Sequence, residues 1–136
     1  MARMEWRPTL EVGHGQIDAE HRTLVDALNR LHDAVEEGRG QEEVLRVLSF
    51  LRDYTVTHFQ SEESLMIAHR YPGLAAHVAA HARLVTRVSD LLAALRSGRT
   101  EVVEAVQAFL GAWLVEHIQV MDKEFGWYLR GRGLAS

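Results

Sequence analysis

Seven side chains of this 136-residue chain could act together on a metal: His21, His58, Glu62, His77, His81, His117 and Asp122. His58 and Glu62 stand four apart, as do His77 and His81, whereas His117 and Asp122 stand five apart. On a helix, residues four apart project from one face, so each such pair can reach one ion. Imidazole suits iron, zinc, copper and nickel, and carboxylates suit harder ions. The chain has eight histidines and no cysteine. The missing thiols exclude disulfides, thiolate zinc sites and iron–sulfur clusters.

These residues need helices to position them, and the apolar pattern supplies four. Residues 1–17 read as an irregular N-terminal arm broken by Pro8, Gly13 and Gly15. A first helix is expected from an Asp18 N-cap to about Glu37, with Ile17, Leu24, Val25, Leu28, Leu31 and Val35 as its stripe. A second runs from about Gln41 to about Ala68, carrying Val44, Leu48, Leu51, Thr55, Phe59 and Leu65. Tyr71-Pro72-Gly73 breaks the chain. A third helix runs from about Leu74 to Arg96, with Val78, Leu84, Val85, Val88, Leu91, Leu92 and Leu95. The fourth is expected from a Thr100 N-cap to about Leu129, with Val103, Val106, Leu110, Trp113, Leu114, Ile118, Met121 and Phe125. The apolar residues recur every three to four positions, and nothing reads as a strand. Short Gly-containing connections make neighbours antiparallel. The expected fold is all-α: an antiparallel up-down-up-down four-helix bundle over residues 18–130, with the arm before it and a tail at 131–136.

In that bundle the candidate ligands meet. His21, His58, the midpoint of His77 and His81, and His117 lie about 16 to 17 residues from the end carrying the loops near 38–40 and 97–100, so at about 1.5 Å per residue they share one height. They also fall on the apolar stripes. Buried carboxylates without partners cost several kcal/mol or are neutralised, and metal turns that liability into binding energy. His117 and Asp122 would be about 140° apart on an ideal helix, so a local π-type widening or a tilt is expected between them. Seven donors exceed one six-coordinate ion and fit two, with a bridging oxygen and one position left open. The only Glu-x-x-His pair is Glu11 to His14, in the arm, so the site is not of the carboxylate-rich ferritin kind. A nitrogen-rich set favours ferrous iron and suits reversible rather than irreversible O₂ chemistry.

The spacing of His21, His58-x-x-x-Glu62, His77-x-x-x-His81 and His117-x-x-x-x-Asp122 resembles the full ligand set of the hemerythrins. Val12-Gly13 to Ile17-Asp18, His58-Phe59 with Glu62-Glu63, Met66 with Tyr71-Pro72, and Trp113-Leu114 with His117-Ile118 are similar to the bacterial branch. The resemblance runs from Trp6 to about Leu129. It implies two iron ions (Fe2+/Fe3+) with a bridging oxide or hydroxide, and O₂ as ligand. His77, His81 and His117 would hold one iron; His21 and His58 would hold the other, which keeps the open position; Glu62 and Asp122 would bridge. O₂ would take two electrons from the pair and the proton of the bridging hydroxide, and leave by the reverse steps. The implied role is an oxygen carrier, storage or delivery protein rather than an enzyme. The alternatives are a di-iron peroxide or nitric oxide redox enzyme, and an oxygen or redox sensor that would need a partner.

Other residues read more plainly. Leu24, Phe59, Trp113, Leu114 and Ile118 lie within a turn of ligands and are candidates for the dry wall of a ligand pocket, Leu114 and Ile118 foremost. Tyr54, one turn before His58, is either a hydrogen-bond partner of the ligands or core. Glu63 is expected in a solvated or interhelical polar role, His14 as a surface or arm-packing residue, His32 as a hydrogen-bonded core or boundary histidine and His69 exposed. Trp6 should anchor the arm. The net charge of -4, with both signs mixed along the chain, argues against nucleic acid and anionic membrane. No apolar run approaches the roughly 20 residues of a span, and no secretory h-region opens the chain. A cytoplasmic monomer is expected, with dioxygen as partner and an oxygen-using enzyme as candidate recipient.

Overall fold

The computed structural model describes residues 4–38, 40–99 and 103–131. Among them are a single 3-10 turn, Pro8–Leu10, and four long helical stretches: α1 Gly15–Glu36, α2 Gln41–Ala68, α3 Leu74–Arg96, and a last stretch made of α4 Val103–His117, a π turn Ile118–Asp122 and α5 Lys123–Gly131. No strand occurs among the described residues. α1 packs on α2, α2 on α3, and α4 closes against α1 and α3, which gives the antiparallel four-helix bundle. No described helix is long and apolar enough to cross a membrane.

The first helix starts at Gly15, earlier than the Asp18 cap expected from sequence. His14 is the cap: its Nδ1 accepts from the Ile17 amide at 3.4 Å. Asp18 turns outward from that role and receives the arm instead, accepting from the Val12 and Gly13 amides at 2.8 and 3.3 Å. Further along the arm, Asn29 grips the Met4 backbone through both its amide groups, and Arg22 lies over the Trp6 ring at 4.9 Å. The arm then crosses α5 at Gly126, where a Cβ would stand 2.1 Å from the Val12 carbonyl oxygen. Only glycine allows that approach.

The expected second and third helices have the predicted bounds. α2 ends with Arg70 at φ 54, and the Arg70 and Tyr71 amides return to the Ile67 and Met66 carbonyls. This is a Schellman end with arginine in the position glycine usually takes. Gln41, opening α2, donates to the Leu95 carbonyl at the far end of α3, so one side chain ties the two loop-end termini together. The Thr100 cap lies outside the described residues, as do the side chains of Val103 and Val106. Val78, expected in the α3 stripe, is 38% exposed. His77 and His81 take the inward face, and Val78 is rotated about 100° from His77.

Two apolar clusters fill the bundle. The larger, at the loop end, gathers Leu24, Leu28, Leu31, Leu48, Phe59, Leu84, Leu92, Leu95 and neighbours. The smaller, at the arm end, gathers Leu10, Val12, Ile17, Met66, Ile118, Phe125 and Leu129. Between them lies a layer of buried polar groups.

Candidate metal centre

All seven candidate ligands lie in that layer, none more than 5% exposed. α1 brings His21, α2 brings His58 and Glu62, and α3 brings His77 and His81. The last helix brings His117 and Asp122 by changing its winding. The Lys123 amide bonds to the Ile118 carbonyl, five residues back, so the π turn carries Asp122 around to the side of His117. Asp122 Oδ1 then stands 3.1 Å from His117 Nε2.

The two carboxylates divide their oxygens between the histidines. Glu62 Oε1 faces His77 and His81, at 2.9 and 3.3 Å from their Nε2 atoms. Glu62 Oε2 faces His21 and His58 instead, at 3.9 and 3.7 Å. Asp122 Oδ1 faces His77 at 2.7 Å and His117, and Oδ2 faces His21 at 3.0 Å. Two overlapping donor sets result: one of Glu62, His77, His81, His117 and Asp122, the other of His21, His58, Glu62 and Asp122. Within each set the donor atoms lie within 4.8 Å of one another.

His77 Nε2 and Asp122 Oδ1 satisfy each other at 2.7 Å, but several of the other atoms are left without a partner. Both ring nitrogens of His21, both oxygens of Glu62 and Asp122 Oδ2 are buried without a hydrogen bond of acceptable direction. Buried polar groups in this state are costly. His81 Nε2 and His117 Nε2 face each other at 3.1 Å, a separation that needs a proton or a cation between two lone pairs. Protons are the available substitute in the metal-free chain. Burial would lower the His77 ring, but Asp122 and Glu62 beside it push it up to about 9. His21 is raised for the same reason, mainly by Asp122 against its burial. Burial and Asp122 work to raise Glu62, but the close approach of His77 and His81 holds it below the ordinary carboxylate range. Asp122 lies well below that range: His117, His21 and His77 outweigh complete burial. A site that gathers protons this way gives them up to solvent when a cation binds. The donor chemistry, two carboxylates with five imidazoles, fits two ions sharing both carboxylates.

Against the layer, on the loop-end side, lies a cavity of about 30 Å³. It is bordered by His21, His58, His117 and Asp122 and walled by apolar side chains including Leu24, Phe59, Trp113 and Leu114. Ile118, expected in that wall, is fully buried elsewhere, in the arm-end cluster with Leu10 and Phe125. It follows His117 directly, so its side chain leaves the helix on another face. Leu28, Leu51 and Leu110 take part in the wall, each 7 residues from a histidine of the layer, and so does Leu84, one turn after His81. Thr55 adds the wall's one hydroxyl, and that hydroxyl donates to the Leu51 carbonyl at 2.7 Å.

Aromatic rings clamp the histidines of the larger set. Phe59 stacks on His81 at 3.6 Å between centroids and Trp113 on His117 at 4.4 Å. Tyr54 packs against the loop-end cluster and stacks with Phe50 at 5.9 Å, which makes it core. Glu63 spans α2 to α3 and meets His81 Nδ1 at 2.8 Å. Glu20, which the spacing argument passes over, meets His58 Nδ1 at 2.7 Å. Its contact crosses between helices, and no periodicity within α1 signals it. His32 is half-buried. His69 is half-buried rather than exposed, because Tyr128 donates to its carbonyl at 2.6 Å and holds the turn against α5.

A helical bundle with this donor layer defines a class, and comparison with known proteins gives the family. Residues 12–127 match the family model described as Hemerythrin HHE cation binding domain. The chain is 39% identical to the bacteriohemerythrin of Methylococcus capsulatus over 128 residues, covering 93% of this chain and 96% of that one. It is 34% identical to the bacteriohemerythrin of Pseudomonas aeruginosa over 90% of this chain and 78% of that one. A solved structure of wild-type hemerythrin superimposes with a TM-score of 0.86 at 37% identity, covering 92% of this chain and 96% of that one. The chain belongs to the hemerythrin family.

Proposed function

We propose that this protein binds O₂ reversibly at a di-iron centre. His77, His81 and His117 would hold one iron and His21 and His58 the other, with Glu62 and Asp122 bridging and an oxide or hydroxide between the ions. The observation that carries this reading is the division of both carboxylates: each turns one oxygen to the three-histidine side and the other to the two-histidine side. Iron, when bound, supplies the electrons that O₂ takes up and returns.

The chain's own residues supply selectivity. Three nitrogens fill one side and two the other, so the two-histidine side has the vacancy in its donor count. The cavity borders both of those histidines, His21 and His58. Its volume of about 30 Å³ has room for a small ligand such as a diatomic molecule. Its wall offers no free acid or base beyond the donor layer, since the Thr55 hydroxyl is spent on the helix backbone. A wall of this kind keeps protons from a reduced ligand and favours release unchanged. This supports carriage or storage over peroxide or nitric oxide turnover, and over sensing, which would need an output partner. An oxygen-using enzyme in the same compartment is the recipient that this role calls for.

The test is an optical one. Iron-loaded protein under argon should be nearly colourless, gain visible charge-transfer bands in air and lose them on return to argon. Immediate irreversible conversion to a ferric spectrum would favour the redox enzyme or sensor. Failure to take up iron would overturn the ligand assignment.

A further inference from the structure

We propose that Glu20 and Glu63 are positioning residues, each fixing from the preceding helix the ring of one histidine of the centre: Glu20 on α1 fixes His58 on α2, and Glu63 on α2 fixes His81 on α3. The proposal deepens the di-iron reading and rests on it for its consequence, although the contacts themselves belong to the metal-free chain.

The two arrangements repeat one device. His21 and Glu62 point into the donor layer, and each has a glutamate beside it in sequence. Consecutive residues on a helix are about 100° apart. A glutamate next to an inward residue therefore falls in the seam with the neighbouring helix. Glu20 falls in the α1–α2 seam and meets His58 Nδ1 at 2.7 Å; Glu63 falls in the α2–α3 seam and meets His81 Nδ1 at 2.8 Å. An ionised carboxylate only accepts, so each Nδ1 must carry the proton and donate. The Nε2 of a neutral ring is then left with its lone pair, and it is Nε2 of His58 and of His81 that lies on Glu62 in the layer. Such a partner sets tautomer and ring angle before metal arrives, and raises the basicity of the ring as a ligand.

The two braces are not equally supported. Glu20 also accepts from Gln16 Nε2 and from Ser61 Oγ, each at 3.2 Å, and Gln16 Nε2 in turn reaches Ser61 Oγ at 2.8 Å. This clasp joins α1 and α2 directly outside His58. The stronger brace thus stands on the two-histidine side, where fewer protein ligands hold the ion.

The experiment uses the full chain, metal-free and iron-loaded, with Glu20→Ala, Glu20→Gln, Glu63→Ala, Glu63→Gln and Gln16→Ala. In the metal-free protein, nitrogen-15 spectra of the histidines report the tautomer of each neutral ring. Glu20→Ala should move His58 away from the Nδ1-protonated form and leave His81 unchanged, and Glu63→Ala should do the reverse. In the loaded protein, each alanine variant should lose iron to a competing chelator about 10- to 100-fold faster than wild type. The glutamine variants, whose amide oxygen still accepts, should recover most of that loss. Gln16→Ala touches neither histidine and should give a smaller change at His58 only. Tautomers that stay put, or that move equally at both histidines in every variant, overturn the proposal, as does a glutamine variant no better than alanine. Should wild-type protein take up no iron, the di-iron reading fails, and the metal-free tautomers still decide the roles of Glu20 and Glu63.

Discussion

The bundle is loose on one side of its polar layer and tight on the other. On the loop-end side, leucines from every long helix leave a cavity of about 30 Å³ beside His21 and His58. At the arm end the chain is packed to backbone contact: Gly126 has room for a hydrogen and nothing larger against the Val12 carbonyl. Met66, Ile118 and Phe125 are fully buried there, and the arm is pinned by Asp18. Helices of similar composition meet on both sides, so hydrophobicity does not explain the difference. The arm accounts for it: Leu10 and Val12 are buried in the arm-end cluster, whereas of the described arm only Met4 packs against the loop-end one. The cavity that borders the donor layer thus lies on its loop-end side.

The largest effect should come from breaking the layer itself. Glu62→Ala or Asp122→Ala leaves histidines on both sides without the shared carboxylate, and loss of one partner from such a buried set costs about 3–5 kcal/mol. Iron should be absent from these variants as purified, whereas Glu63→Ala should still load it, only less tightly. Metal analysis of all three checks this, and equal losses would refute the shared role of Glu62 and Asp122.

A pH titration tests the same layer without substitution. In the metal-free chain His77 is raised from its ordinary value to about 9. Its contribution to stability is therefore complete below about pH 6.5 and is lost as pH rises through about 9. The depressed Glu62 and Asp122 contribute above the ordinary carboxylate range and lose that contribution as pH falls. Metal-free protein should be most stable between those limits, its melting temperature falling from about pH 6.5 to 9 by the equivalent of a few kcal/mol at most. Iron-loaded protein should not show the alkaline fall, because the cation then takes the place of the protons.

The tight and loose sides should respond oppositely to added volume. Gly126→Ala must displace the Val12 backbone, and overpacking of this kind costs about 1–3 kcal/mol. Denaturation should detect it, with O₂ binding intact in the folded fraction. Leu24→Phe adds volume on the loose side. It should slow O₂ association by about tenfold, equivalent to about 1.4 kcal/mol of barrier, while iron content and melting temperature change little. Stopped-flow mixing measures it, and an unchanged rate would mean the cavity is not the ligand's site. The smallest effect lies away from both sides: Arg70→Gly relieves a left-handed arginine and should stabilise by about 0.5–1 kcal/mol, partly offset by the freer unfolded chain.

The apolar periodicity made the four long helices legible, and the bounds of α2 and α3 follow directly from their breakers. The start of α1 was less so, because His14, not a usual N-cap residue, accepts from the Ile17 amide while Asp18 holds the arm. The five-residue step from His117 to Asp122 did announce a change of winding, since a regular helix cannot present both to one centre. Glu20 and the correct place of Ile118 were not legible. Each depends on which helix lies across the seam and at what rotation, and a one-residue shift on a helix changes that face by about 100°.

By itself the sequence determined which residues could share a face, how high along the bundle they lie, and that so many buried imidazoles and carboxylates require a cation. Those are properties of spacing along a helix and of the cost of burying charge. Only the tertiary structure decided which oxygen of each carboxylate faces which histidines, which glutamates brace the rings, and on which side of the layer the cavity opens. These depend on how helices are rotated against one another and on where the arm lies. Such rotations are set by packing between segments distant in the chain, which no local pattern encodes.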